Sequence, residues 1–166
     1  MTNILLGGYY GAGNAGDEAM LTVIIEELRK EFPDIKFTVL SWDPPKTSAE
    51  HKVVSIYWKD IDALLDAALV ADVIVLGGGG IFHDYWGINP NTYLRKDFQD
   101  ITAFGSLPLL ADLLDIPCII AAVGVGPLKT DDARSHTRLA FERCVSATVR
   151  DNESLEFLKQ IPEIGR

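Results

Sequence analysis

Apolar positions fall into short runs separated by glycine- and proline-rich turns, and the runs alternate between strand-like and helix-like spacing. Residues 3–6 make a brief apolar strand that leads directly into glycines. In residues 17–31, Leu21, Ile24, Ile25 and Leu28 recur at helical spacing, which predicts an amphipathic helix with Asp17 as N-cap and Pro33 beyond its end. Residues 36–40 alternate as a second strand closing in the Ser41-Trp42-Asp43-Pro44-Pro45 turn, and 53–57 predict a third. A helix over 60–70 precedes a buried strand over 72–76 that runs into Gly77-Gly78-Gly79-Gly80. Residues 81–105 are rich in aromatic and turn residues and long for a passive connection, which points to a functional flap. Then come a helix over 107–114, a strand over 117–123 ending in Gly124-Val125-Gly126-Pro127, and a helix over 132–144. A strand over 146–149 and a final helix over 151–160, capped by Asp151, complete the pattern.

No sequence repeat underlies this alternation. Strands that alternate with helices imply right-handed crossovers and a parallel sheet buried on both faces, so the expected fold is α/β, a doubly wound Rossmann-like domain. A chain of 166 residues with 48% apolar content suits one compact domain. No apolar run is long enough for a bilayer span. The excess of 24 acidic over 15 basic residues, a formal charge of −9, repels phosphate backbones and excludes nucleic acid as a natural partner. The N-terminus lacks a cationic leader, and Cys118 and Cys144 form neither a CxxC pair nor a disulfide framework, so a cytoplasmic location is expected. His51, His83 and His136 are too scattered to suggest a metal site.

In a doubly wound sheet the ligand crevice lies beyond the carboxyl ends of the strands. The residues expected there are 7–16, 77–84, 124–127 and Arg150-Asp151. Glycines let the backbone approach a ligand, and helix N-termini offer unpaired N–H groups to anions. Gly11-Ala12-Gly13-Asn14-Ala15-Gly16 spells the dinucleotide fingerprint, with Asp43 where a ribose-binding acid would stand. A nucleotide-binding module of the NAD type is therefore one reading. Against it, Tyr9 and Tyr10 add bulk to the turn, and Asp17 and Glu18 would face the pyrophosphate with like charge. A non-catalytic assembly domain is another reading.

The longer string from Gly8 to Ala19 (GYYGAGNAGDEA) resembles the opening motif of the polysaccharide pyruvyl transferase family. Three further segments match that family in order: LGGGGIFHD from Leu76, GVGPL from Gly124, and VRDNES from Val149. The resemblance implies a transferase that moves the pyruvyl unit of phosphoenolpyruvate onto two hydroxyls of a saccharide, lipid- or nucleotide-linked forms included, as a cyclic ketal in cell-envelope or exopolysaccharide synthesis. That chemistry calls for no metal or redox cofactor. It also implies a GT-B-type architecture of two Rossmann-like halves, of which residues 1–166 correspond to the N-terminal one. The expectation is a fragment inactive alone, completed by a C-terminal half or by homo-oligomerisation.

Candidate roles follow. Arg150, at a strand end before an N-cap, carries a fork suited to a carboxylate or phosphate, and the family pattern places a donor-binding arginine at this motif; an ion pair with Asp17, Glu18 or Asp151 would use the same geometry. Asn14 and Asp17 are candidates for hydrogen-bonding sugar hydroxyls or for proton transfer, beside simple capping. Ketal formation needs an acid/base group, for which Asp84, at a recurrent acidic position of the family, and His83 are candidates. Gly13, Gly16, Gly78, Gly79, Gly124 and Gly126 are expected to shape the donor site. Tyr9, Tyr10, Tyr85, Trp86 and Tyr93 offer flat rings with polar edges to sugar faces, Tyr10 in particular as a substrate contact.

Overall fold

The computed structural model describes residues 2–91, 93–94 and 100–162. Strand β1 (Thr2–Gly7) leads to α1 (Ala15–Glu31), β2 (Ile35–Ser41), α2 (Pro44–His51), β3 (Val54–Tyr57) and α3 (Ile61–Leu69). Then come β4 (Val73–Gly77), β5 (Gly80–Phe82), α4 (Ile101–Leu113), β6 (Cys118–Val125), α5 (Asp131–Phe141), β7 (Ser146–Val149) and α6 (Asn152–Lys159). These strands form one seven-stranded parallel sheet. Its order is β3-β2-β1-β4-β6, with β5 and β7 also pairing with β6. The first half of β6 pairs with β4 and its end with β5, so β5 extends the line of β4.

Alternation along the strands separates two cores, as a period of two requires. Ile4, Leu6, Phe37, Val39 and Val75 pack with Leu21 and Ile25 of α1. Leu5, Leu40, Ile74, Leu76 and Ile120 pack with Leu64 of α3, Leu107 and Leu110 of α4, Ala140 of α5 and Leu158 of α6. Helices therefore cover both faces, and the Rossmann-like α/β expectation stands.

Three local expectations are corrected. The N-cap of α1 is Asn14, whose side chain accepts from Gly16 N–H, so the helix begins at Ala15 and Asp17 is released from capping. The 41–45 turn opens a further helix, α2: Asp43 accepts from Lys46 N–H as its N-cap and the prolines occupy the first turn, where a missing N–H costs nothing. Helix α4 starts at Ile101, capped by Asp100, and runs through Pro108, which shortens the flap by several residues. Within that flap, Thr92 and residues 95–99 lie outside the described residues.

Where β4 meets β5 the chain passes through two left-handed residues, Gly78 (φ 69°) and Gly79 (φ 75°). Beside them on β6 sits Ala122, also left-handed at φ 53°. Gly78 N–H donates to Ala121 O and Gly124 N–H to Gly79 O, so the two strands bend together. The register with β7 shifts between Ile120 and Val123, and Ala122 N–H donates to Thr148 Oγ1 at 2.9 Å. This is a β-bulge, a device that re-aims a strand beside a site.

A non-glycine residue in the left-handed region costs about 1–2 kcal/mol, more when β-branched. Ala122→Gly is expected to leave stability unchanged or raise it by up to ~1 kcal/mol, and Ala122→Val to lower it by about 2 kcal/mol, both read from urea unfolding. Equal stabilities for the two variants would contradict the bulge.

Candidate functional site

The sheet changes direction of winding between β1 and β4, and the segments after both strands enclose one cavity of about 930 Å³. Asn14, Gly16 and Asp17 reach it from the start of α1, Gly79 from the end of β4, His83 and Trp86 from beyond β5, and Arg150 from the end of β7. Tyr9, Phe104 of α4 and Ala122 of the bulge complete part of its wall.

Asp17 occupies the first turn of α1 and is only 8% exposed. The missing side chain at Gly79 makes room for it: a Cβ there would lie 2.6 Å from Asp17 Oδ1. No described residue donates a hydrogen bond to its carboxylate. Burial raises the Asp17 pKa above the ordinary aspartate value, the Glu18 charge raises it further, and Arg150 pulls it down without cancelling the rise. A carboxyl in this position holds a proton to higher pH than usual, as a general acid must.

Glu18 next door has the opposite surroundings. Its Oε1 accepts from Gly11 N–H at 2.9 Å and Gly13 N–H at 3.3 Å. These amides belong to the GxGxxG string. An internal carboxylate fills the place where the fingerprint would hold a pyrophosphate, and Asp43, the supposed ribose acid, caps α2 instead. The dinucleotide reading loses both of its supports.

Arg150 donates from Nε to Asp151 Oδ2 at 2.9 Å, which matches one of the expected ion pairs. Its two terminal nitrogens have no acceptor among the described residues. Room for the guanidinium comes from Gly124 and Gly80: a Cβ at Gly124 would lie 2.7 Å from Arg150 Cζ, and one at Gly80 3.5 Å from Nη1. His83 Nδ1 accepts from Tyr85 N–H at 3.4 Å, which places the proton of the neutral ring on Nε2. Burial lowers the His83 pKa, against the opposing pull of the Asp84 charge.

Several expected site residues stand elsewhere. Asp84 does not line the cavity. It is 5% exposed, and its Oδ2 accepts from Lys129 N–H, Thr130 N–H and Thr130 Oγ1–H at 2.8, 2.8 and 3.1 Å. Burial works to raise its pKa, but these bonds outweigh it and hold the carboxyl below the usual range, the wrong direction for an acid catalyst. Asp84 is a brace between the loop after β5 and the start of α5. Tyr10 is fully buried in the α1-side core and donates its hydroxyl to Gly77 O, so it supports the turn from within rather than meeting substrate. Gly126 packs beneath Phe157, Gly78 against Met20, and Gly13 faces open space outside the cavity wall. Gly124 lies behind Arg150 rather than on the wall. Met20, Phe104 and Ala122 are wall residues that sequence reasoning did not single out.

Residues 14–161 match the family model described as polysaccharide pyruvyl transferase. The chain belongs to that family. No curated protein matched it. In this member of the family, the motifs at 8–19, 76–84 and 149–154 each deliver at least one residue to the same cavity, whereas the 124–128 segment mainly supports it. Among the described residues, no helix is long and apolar enough to cross a membrane.

The two aspartates should respond oppositely to pH. Asp17 binds its proton more tightly when folded, so the protein loses stability as pH rises from the ordinary aspartate value of 3.8 through the folded one. Asp17→Asn should therefore be more stable than the parent at neutral pH, with the gain vanishing in acid. Asp84, depressed in the fold, stabilises above 3.8 and loses that contribution as pH falls through its folded value. Asp84→Asn should cost on the order of 2 kcal/mol at neutral pH, fading in acid. Denaturant titrations across pH check both, and a stabilised Asp84→Asn or a destabilised Asp17→Asn at neutral pH would refute the assignments.

Proposed function

We propose that the cavity is the donor site of a pyruvyl transferase that takes phosphoenolpyruvate and a saccharide diol to a cyclic pyruvate ketal and inorganic phosphate. The observation that carries this reading is the pairing, in one cavity, of a buried carboxyl with a raised pKa and an arginine whose two terminal nitrogens are open. Asp17 protonates the methylene carbon of the donor, turning it into the methyl group and leaving the central carbon electron-poor. One acceptor hydroxyl adds to that carbon. Phosphate then leaves, and the second hydroxyl closes the ring. The two hydroxyl protons balance the new methyl C–H and the proton taken up by phosphate.

Arg150 suits the donor's carboxylate or phosphate as a two-point acceptor of its charge. With Asp17 protonated, the described wall carries a net positive charge, which offsets the repulsion between an acidic protein and a trianionic donor. A bound donor in turn raises the Asp17 pKa further, so the acid is loaded when it is needed. The Nε2–H of neutral His83 adds a hydrogen-bond donor for the departing phosphate. Further cationic contacts from a second Rossmann-like half would complete the site in a GT-B arrangement, and envelope or exopolysaccharide synthesis in the cytoplasm is the setting this reading favours.

Phosphoenolpyruvate should raise the melting temperature of this chain, with about 2.7 kcal/mol of stabilisation at a hundredfold excess over Kd, and NAD should not. Arg150→Ala should abolish the shift. Gly124→Ala should fold with a stability within ~1 kcal/mol of the parent, because only a flexible side-chain end must move, yet bind the donor about tenfold more weakly since the guanidinium is displaced. A shift with NAD but not with phosphoenolpyruvate would overturn the proposal.

A further inference from the structure

Trp86 lines the cavity and is 80% exposed. Tryptophan is among the most buried residue types on average, so an indole left open on a cavity wall calls for a partner. Its mounting is rigid. The Asp84 carboxylate ties the segment to Lys129 and Thr130, Asp84 N–H donates to Pro127 O at 3.2 Å, and Gly87 N–H donates to Asp84 O at 3.1 Å. The neighbouring Tyr85 is already engaged, with the His83 ring 4.7 Å from its centroid and the Lys129 ammonium at 5.7 Å. Trp86 has no such ring or cation beside it among the described residues.

From this geometry we infer that Trp86 is the stacking platform for the acceptor, taking the C–H face of its sugar ring. The inference rests on the pyruvyl-transfer reading and assigns the other half of the same cavity. A pyranose ring has one face of C–H groups, which the indole covers, and a rim of hydroxyls, which the polar residues Asn14 and Asp17 of the same cavity can meet. A preorganised ring also costs little entropy on binding, which a mobile loop aromatic would not offer.

The test uses the whole chain labelled with nitrogen-15, following the indole N–H signals of Trp42, Trp58 and Trp86 during titration with methyl β-glycosides of galactose, glucose and mannose, and with methyl β-glucuronide. At least one of these glycosides should shift the Trp86 signal. Trp86→Ala should weaken its binding about tenfold, Trp86→Phe should keep most of the affinity, and the phosphoenolpyruvate-induced rise in melting temperature should be the same in all three proteins. No response of Trp86 to any of these sugars, or equal affinity in Trp86→Ala, overturns the inference. Self-association that disappears in Trp86→Ala, without sugar binding, overturns it too and makes the indole a protein contact. Because donor binding is read separately, its failure would refute the pyruvyl-transfer reading while the sugar titration still judged Trp86.

Discussion

Everything at the cavity depends on two neighbouring strands leaving the sheet at the same level. The β4 line turns through Gly78 and Gly79, and β6 turns through the bulge at Ala122. The hydrogen bonds Gly78 N–H to Ala121 O and Gly124 N–H to Gly79 O keep them coupled. Had only one strand bent, the backbone groups of the other would have been left unpaired in the interior, at a cost of about 1–3 kcal/mol each. Bending both brings β5 alongside the end of β6 and carries His83 and Trp86 to the cavity. Position 79 is doubly constrained, since a side chain there would be strained by its φ and would also strike Asp17.

Asp17 and Glu18 show how one dipeptide supplies two chemical behaviours. Glu18 accepts hydrogen bonds from two amide N–H groups, and its charge adds to the burial that raises the pKa of the adjacent Asp17. One carboxyl is bonded to the loop amides and the other is left without a donor among the described residues, a difference that residue type alone does not reveal. The same two bonds also spend the phosphate-binding capacity of the glycine loop. A string that reads as a nucleotide fingerprint has thus become an internally neutralised turn that aims a carboxyl into the cavity.

The strand–helix alternation, both covered faces and the convergence of Asn14, Asp17, Gly79, His83 and Arg150 were legible because periodicity and glycine-rich turns report on backbone course. What was not legible depended on competition between partners. Asp17 and Asn14 are both good caps, and in the fold Asn14 takes the amide and leaves Asp17 without a donor among the described residues. Asp84 looked available because its motif lies beside the glycines, yet the amides of Lys129 and Thr130, some 45 positions away, claim it. The double proline after Asp43 reads equally as a turn and as a helix start, and Pro108 masked the first two turns of α4. Tyr9 and Tyr10 are consecutive aromatics on one loop, yet the loop buries Tyr10 in the core and brings Tyr9 to the wall.

The Arg150-Asp151 pair explains why an exposed arginine can still be a precise one. Asp151 caps α6, accepting from Ser154 N–H at 2.7 Å, and with its other oxygen receives Arg150 Nε. Those amide and hydroxyl bonds from Ser154, followed by the arginine's own, hold the Asp151 carboxyl below its usual pKa, so the tether keeps its charge to lower pH than an ordinary aspartate would. A helix N-terminus thereby fixes the aspartate, the aspartate fixes one edge of the guanidinium, and the two glycines beside it leave space for the other edge. Lysine could reproduce the charge of this arrangement but not its fixed fork, because a single ammonium cannot stay on the tether and still present two parallel donors to the ligand.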